Sequence, residues 1–254
     1  MLVNIIEMNL KILQYSYLCI IIMNYLQNSG KEQGMEKIID KDLLWKNIES
    51  SDVKIICKTI SQISSIGFKN AGSVIEFIPK LKKMLSSSEN VIVEKSLWAI
   101  GQIGHNEPNL VSDSIHGIYE LLDHEDKKIR GNALWAIGRI GRTNIKIVLS
   151  NIERIFSCAE DPAPEVRMNF IWACENLAIN KPELFKDYVE IFIILLSDEN
   201  IKYVRREAPE IFRVIARRKP ELIQSAIPKL EELLEDEDKV VRIHAAGALK
   251  YLKK

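Results

Sequence analysis

The chain has 254 residues, of which 47% are hydrophobic, enough for a continuous core. Its 35 basic and 35 acidic side chains give a formal net charge of zero, which argues against a dedicated nucleic-acid binder, because such proteins gain most of their affinity by neutralising phosphates. The cysteines form no close pair and follow no metal-ligand spacing, so we expect reduced thiols in a cytoplasmic protein.

Residues 1–34 differ in composition from the rest of the chain. The apolar run from Ile12 to Leu26 is interrupted by polar residues, and it is shorter than the roughly 20 apolar residues that a membrane-spanning helix needs. Two interpretations stay open: an extra amphipathic helix packed on the first repeat, or translation from a start upstream of Met35. A weak signal or anchor segment is a third.

A sequence repeat organises the remaining residues. The segment Leu134–Gly141 is an almost identical copy of Leu97–Gly104, 37 residues earlier, and Ile171–Ala178 is a looser copy 37 residues later. Self-similarity at a fixed period of this length predicts an array of helical repeats. We divide it into about six helical hairpins, with units at about 35–67, 68–104, 105–141, 142–178, 179–216 and 217–254.

Apolar residues recur at the same place in each unit and set the register of the two helices. Within a helix they fall at spacings of three and four, and no strand-like alternation appears, so the fold class is all-α. One ladder opens the second helices: Ile55, Ile92, Ile129, Val166, Val204 and Val241. Another lies in the first helices: Leu81, Ile118, Ile155, Phe192 and Leu230.

Prolines and glycines mark the predicted helix boundaries. Pro108, Pro182 and Pro220 stand where first helices begin, a position that tolerates a missing N–H. The short acidic turns between the two helices of a unit supply N-caps. Glycines that end second helices predict left-handed C-terminal residues; these are Gly67, Gly104 and Gly141.

The segment from Asp236 to Ala245, with Val241 and Arg242 at its centre, has the pattern Asp-x-x-x-x-Val-Arg-x-x-Ala and resembles a HEAT repeat. The repeated Leu-Trp-Ala-Ile-Gly segment resembles the short HEAT-like repeats of phycobilin lyases. The resemblance covers about residues 36–254 and implies a right-handed α–α superhelix, the HEAT-repeat solenoid, with a ladder of arginine–aspartate pairs. Ile56 and Val93 stand where arginine recurs in later units, so that ladder should be missing at the amino-terminal end.

The tryptophans are predicted to point away from the core. At about 100° per residue, Trp135 lies about 150° from the centre of the apolar stripe that runs from Ile129 to Ile140. Trp98 and Trp172 occupy the equivalent positions, so we expect a tryptophan row (Trp98, Trp135 and Trp172) along the open concave face. The alternative is that each indole folds sideways and fills a gap between adjacent helices.

Polar side chains continue the same face beside these indoles. Exposed tryptophans among polar groups are typical of protein-binding surfaces, where tryptophan and arginine act as anchors. We therefore predict a partner-binding surface made of Lys95, Trp98, Gln102, Asn132, Trp135, Arg139, Asn169, Trp172 and Asn176.

The residue pattern favours a non-catalytic scaffold or adaptor that binds another protein or a peptide. The four histidines lie far apart in the repeat, and no phosphate loop or nucleophile–base pair is found, so we expect neither a metal nor a cofactor. The chain is predicted to be a monomer, or a weak homodimer formed through its last repeat, with no membrane contact.

Two other function classes stay open. Nucleic-acid binding or DNA repair, as in the glycosylases built from HEAT-like repeats, is the first alternative, but the residues one turn beyond Trp98 and Trp135 are Gln102 and Arg139 rather than carboxylates. An accessory role in chromophore attachment is the second. The basic cluster from Arg205 to Lys219 is most simply a solvated surface. The alternative is that it binds an anionic partner.

Overall fold

A computed structural model describes residues 39–252, and all the regular secondary structure in that range is helical. A compact unit begins at Asp42. The interpretations of residues 1–34 fall outside the described residues. In residues 39–252, no helix has both the length and the apolar character that crossing a membrane demands.

The α-helices pair in chain order as hairpins of a first and a second helix. The pairs are α1 (Lys41–Ile48) with α2 (Val53–Lys69), α3 (Ile78–Met84) with α4 (Asn90–Asn106), α5 (Ile115–Glu120) with α6 (Lys127–Thr143), α7 (Ile152–Ser157) with α8 (Pro164–Ala178), α9 (Val189–Leu195) with α10 (Ala208–Ala216), and α11 (Ile227–Glu232) with α12 (Lys239–Leu252).

The second helices pack on one another in sequence, α2 on α4, α4 on α6, and so on to α12. This stacking confirms the predicted all-α repeat superhelix. Because a central helix such as α6 touches its own partner and a neighbour on each side, nearly its whole circumference is buried. The predicted stripe of Ile129, Ala136 and Ile140 is buried, but Leu134 and Trp135 on the other sides are buried too.

The apolar ladder of the first helices forms the core between the two layers. All five predicted members are at most 1% exposed: Leu81, Ile118, Ile155, Phe192 and Leu230. The ladder of the second helices is buried from Ile92 onward, whereas Ile55 is 40% exposed. Ile55 opens α2 as predicted, and α2 is the first of the second helices that the structure describes.

The prolines confirm the predicted starts of the first helices, with one local difference. Pro108, Pro182 and Pro220 each begin a seven-residue 3-10 segment that leads into the α-helical part. The missing N–H of proline costs nothing in a first turn, where that group has no intrahelical partner.

The glycines near the ends of the second helices have a different role from the predicted one. Gly67, Gly104 and Gly141 lie inside α2, α4 and α6, and none has a left-handed backbone. A methyl group at position 104 would come within 2.6 Å of the side chains of Ile140 and Val111. These glycines are therefore close-packing positions that let neighbouring units approach, and the prediction of left-handed caps was wrong.

Ion pairs link successive units on one edge of the stack, as the resemblance implied. Nε of Arg130 lies 2.6 Å from Asp161, and Nε of Arg167 lies 2.7 Å from Asp198. Burial alone would raise the pKa of Asp161, but hydrogen bonds from Arg130 and from the Ala163 backbone hold it below its usual value. Arg205 continues the ladder, and its Nε lies 3.1 Å from Asp236.

The first two described units lack this arginine ladder, which confirms the prediction drawn from Ile56 and Val93. Among residues 39–252 no arginine pairs with an aspartate before Arg130. A hydrogen bond from a neutral amide connects units two and three instead: Nδ2 of Asn90 donates to the carboxylate oxygen Oδ2 of Asp126 at 3.0 Å. The same Asp126 accepts from the backbone N–H of Lys128 and caps α6.

Candidate functional site

The tryptophan row forms a continuous stack of parallel rings. The ring centroids of Trp98 and Trp135 are 4.0 Å apart with planes at 9° to one another. Those of Trp135 and Trp172 are 6.1 Å apart at 8°. The middle ring, Trp135, is only 6% exposed, whereas the two end rings are half-buried.

The rings stack because Trp135 and Trp172 each fold over a glycine of the preceding second helix. A methyl group at Gly101 would lie 2.6 Å from Cζ3 of Trp135, and one at Gly138 would lie 3.3 Å from Cζ3 of Trp172. The expectation of open indoles is therefore wrong for Trp135, and the alternative of sideways packing describes it. The space beside these glycines is filled by indole rings of the protein itself and not by a partner.

The polar residues one turn beyond the tryptophans are also buried. Gln102, Arg139 and Asn176 are 6%, 8% and 4% exposed. Arg139 donates from Nη2 to Oε1 of Gln102 at 3.0 Å, and its guanidinium carbon lies 5.7 Å from the ring centroid of Trp135. The prediction that these three residues present polar groups on an open face is corrected: all three are buried, and the Arg139–Gln102 bond joins two second helices beside the indole stack.

Asn176 is tied to its neighbours by both ends of its amide. Its Nδ2 donates to the carbonyl oxygen of Trp172 at 2.8 Å, and its Oδ1 accepts from Nη1 of Arg142 at 3.0 Å. Asn169 behaves similarly, since its Nδ2 donates to the carbonyl oxygen of Glu165 and lies over the space left by Gly131. The bond from Arg142 joins α6 to α8, whereas the bonds to the Trp172 and Glu165 carbonyls lie within α8; Asn169 keeps partial exposure.

An accessible cavity lies at the amino-terminal end of the row. Lys95 is exposed there, and Trp98 and Asn132 are half-buried. The cavity has a volume of about 270 Å³, and its lining is provided by three consecutive second helices: Ser61, Ser64, Ser65, Glu94, Lys95, Trp98 and Asn132. We call it the terminal slot. It brings together three of the nine predicted binding residues with four that were not singled out.

Acidic residues follow the carboxyl-terminal end of the row. Glu175 and Glu210 replace the glycine and the tryptophan of the earlier units. Burial and repulsion from Glu207 and Glu210 raise the pKa of Glu175 well above its ordinary value. Glu210 accepts from Nε of Arg213 at 2.6 Å and lies 3.8 Å from Nδ1 of His244. This end of the face therefore carries titratable side chains in place of a glycine and an indole.

A second row of hydrogen bonds between units was not predicted. Nδ2 of Asn106 donates to the carbonyl oxygen of Phe68 at 2.6 Å, and Thr143 and Asn180 repeat the contact one and two units later. Each bond satisfies a carbonyl of the last turn of the preceding second helix, where no intrahelical partner exists. The sequence signal was a polar residue at a fixed register of 37.

His105 lies in this row of contacts, in the last turn of α4. Burial, followed by the nearby charge of Arg139, lowers its pKa from 6.5 to about 4. The imidazole is therefore neutral at physiological pH. In the described residues no three histidine, cysteine, aspartate or glutamate side chains are grouped so that they could hold a metal ion.

The predicted basic cluster is dispersed in the structure. Arg205, Arg206 and Arg213 pair with Asp236, Asp238 and Glu210 respectively. Arg217 and Arg218 are exposed, and the guanidinium carbon of Arg217 lies 5.1 Å from the ring centroid of Tyr251. Carboxylates therefore neutralise three positive charges of the basic cluster, which makes the cluster a weaker site for an anionic partner.

Comparison with known proteins adds a family and a fold. The model of the adaptin N terminal region matches residues 4–250. No curated protein matches the chain. An engineered protein is similar in structure with a TM-score of 0.68 at 23% identity, over 84% of this chain and 98% of its own. A designed armadillo repeat protein in complex with the peptide (KR)4 has a TM-score of 0.65 at 19% identity, over 83% and 98%.

A third similar structure is a computationally designed armadillo repeat protein for modular peptide recognition. Its TM-score is 0.62 at 21% identity, over 82% of this chain and 98% of that one. At these identities the likeness concerns the fold, a stack of helical repeats.

Proposed function

The chain belongs to the adaptin N-terminal-region family, and from that premise we propose that it is a non-catalytic scaffold that binds a partner polypeptide along the face carrying the tryptophan row. Binding is proposed to centre on the amino-terminal end of the row. The partner would contact Trp98, Lys95 and Asn132, which are accessible there.

The observation that carries the proposal is the terminal slot. An aromatic ring, hydroxyl groups, a carboxylate, an ammonium and an amide converge around one cavity of about 270 Å³. A concave site with an apolar wall and a few polar groups is typical of recognition sites, where the ring supplies contact area and the polar groups supply specificity.

The nine predicted residues divide into two roles under this proposal. Lys95, Trp98, Asn132, Asn169 and Trp172 have exposed surface and are proposed to touch the partner. Buried groups are proposed to act indirectly, because a binding surface is most effective when its side chains are held rigidly from behind. That supporting set is Gln102, Trp135, Arg139 and Asn176.

Similar folds lend the proposal further support. Of the designed armadillo repeat proteins described above, one is in complex with a peptide and another was designed for modular peptide recognition. A stack of helical repeats presents a long, continuous face made by equivalent positions of successive units, which suits an extended polypeptide.

Selection of peptides from a random displayed library, with the full chain as bait, tests the function. The selected peptides are then measured on Lys95→Glu and on Lys186→Glu, a matched charge reversal at an exposed lysine in the first-helix layer of unit five. We expect Lys95→Glu to lose binding and Lys186→Glu to keep it. Failure to obtain any saturable binder, or equal loss in both variants, contradicts the proposal.

The nucleic-acid alternative makes a separate prediction. It depends on the basic cluster, and a protein that neutralises phosphates loses affinity steeply as salt rises. Titration of the full chain with duplex and single-stranded DNA at two salt concentrations measures this directly. Saturable DNA binding with a steep salt dependence would replace the polypeptide proposal.

A further inference from the structure

The terminal slot occupies the place of a missing fourth ring. Tryptophans recur at 98, 135 and 172, and the position 37 residues before Trp98 is Ser61. One face of Trp98 is covered by Trp135 at a centroid distance of 4.0 Å. Its opposite face is directed toward α2, where Ser61, Ser64 and Ser65 form the far wall.

The wall opposite Trp98 presents small side chains with hydrogen-bond acceptors. Oγ of Ser61 donates to the carbonyl oxygen of Cys57 at 3.0 Å, and Oγ of Ser65 donates to that of Ser61 at 2.9 Å. Because both hydroxyl protons are used within the helix, the two oxygens can accept from a ligand that lies against them. The wall therefore suits a planar group that has an N–H or O–H on its edge.

The charges around the slot cancel. Glu94 and Lys95 stand next to each other on α4, and Asn132 adds a neutral amide from α6. A slot with one carboxylate and one ammonium has no net attraction for a cation or an anion. The dominant recognition feature is therefore the unstacked indole face of Trp98.

We propose that the terminal slot binds an aromatic side chain of the partner polypeptide, a tryptophan or a tyrosine, which stacks on Trp98 as a fourth ring. The proposal rests on the proposed function and names the anchor residue of the partner. Indole rings at 4.0 Å spacing already form this contact inside the protein, and the N–H or O–H edge of the incoming ring donates to the serine oxygens or to Glu94.

The same geometry separates this ligand from its competitors. An arginine guanidinium can also stack on an indole, but the ammonium of Lys95 offsets the carboxylate that would select it. A nucleobase would bring phosphates to a chain of zero net charge. An aromatic side chain needs neither charge compensation nor a basic surface.

The test uses the full 254-residue chain and N-acetyltryptophanamide as the probe. Indole N–H signals of the ¹⁵N-labelled protein are followed by NMR, and the Trp98 signal is assigned from a Trp98→Phe variant. We expect the probe to shift the Trp98 signal in a saturable way, with a dissociation constant on the order of millimolar for so small a ligand. The Trp135 signal should move less, because both faces of that ring are covered.

Ser61→Trp supplies the missing ring from within the chain and should weaken probe binding at least about tenfold. Ser225→Trp, the same substitution at an exposed serine in unit six, should leave it unchanged. Thermal unfolding of each variant checks that it is folded, and Ser61→Leu fills the slot with a smaller side chain if Ser61→Trp does not fold.

Three results would overturn the assignment: no shift of the Trp98 signal up to the solubility limit of the probe, binding that survives both substitutions at position 61, or an equal response to N-acetylargininamide. The small probe needs no partner, so its outcome is independent of the peptide selection. If selected peptides bind the wild type and Ser61→Trp equally well, the proposed function holds and the assignment of the terminal slot is wrong. If the probe binds but no peptide binder is found, the assignment of the slot holds and the proposed function is wrong.

Discussion

Gly101 and Trp135 lie on neighbouring second helices and share one close contact, in which the indole fills the space that a side chain at position 101 would need. A methyl group there would come within 2.6 Å of Cζ3 of Trp135 and 3.1 Å of Cα of Ala136. The stacking of the tryptophan row depends on this approach, because the ring must fold over the glycine to lie parallel to Trp98.

Gly101→Ala should destabilise the protein although alanine is the better helix former. Neither the rigid ring nor the backbone of α6 can move aside easily, so overpacking should lower the free energy of unfolding by about 1–3 kcal/mol. Gly117→Ala is the control, since its methyl group would meet only Cδ1 of Leu85 at 3.7 Å and should be neutral or stabilising. Urea unfolding of both variants measures the difference, and equal stabilities would contradict the packing described.

Trp135→Ala should act mainly on stability. Its ring is buried between two others, and removal of a buried aromatic side chain costs about 3–5 kcal/mol. Trp98→Ala removes a half-buried ring that is stacked on one face only, so a smaller loss is expected. Chemical unfolding of the two variants in parallel checks the order; the reverse order would mean that Trp98 is the structural ring.

Glu175→Gln should stabilise the protein at neutral and alkaline pH. Burial and the charges of Glu207 and Glu210 raise the pKa of Glu175, so the folded state holds a proton that the unfolded chain releases near its ordinary value. Its contribution is therefore present at low pH and is lost as pH rises through the raised pKa. Melting temperatures of the wild type and Glu175→Gln should diverge as pH increases.

Glu199→Gln is the matched control for that experiment, because Glu199 is an exposed carboxylate in the turn between α9 and α10. Its melting temperature should follow the wild type across the same pH range. A parallel pH profile for Glu175→Gln and the wild type would show that Glu175 titrates normally.

His105 should make the protein sensitive to mild acid. The unfolded histidine takes up a proton near pH 6.5, whereas the folded one resists until about 4, so stability falls as pH drops between those values. The size of that loss reports how far the pKa of His105 lies below its ordinary value, since one pKa unit corresponds to about 1.4 kcal/mol. His105→Gln should flatten that part of the profile, and His116→Gln, at an exposed site, should not.

The fold was predictable because its signals repeat. The ladder of the first helices, from Leu81 to Leu230, and the arginines from Arg130 onward recur at nearly equal spacings in the sequence. The structure places them at equivalent positions of successive units. Helix periodicity also identified the buried stripe of α6 correctly. These features depend on local pattern and on the fact that equivalent positions of a repeat have equivalent surroundings.

The arrangement of the tryptophans was harder to predict because it depends on pairs of units. The helical angle of Trp135 gives the direction in which its side chain leaves the helix, but not whether the ring then folds over the neighbour. That outcome is decided by Gly101, four residues after the start of the preceding copy of the motif. The pairing of Arg139 with Gln102 has the same origin. Each residue occupies a position that looks solvent-exposed within its own unit, but the two side chains cover each other when neighbouring units stack.

The central claim is that the row is closed by stacking and meets its partner at the Trp98 end. The most direct test is the affinity of a selected peptide for Trp98→Leu, measured by isothermal titration calorimetry on protein shown to be folded. We expect a loss of at least about tenfold, since truncation of an aromatic anchor costs roughly 2 kcal/mol or more. Unchanged affinity for folded Trp98→Leu would contradict it.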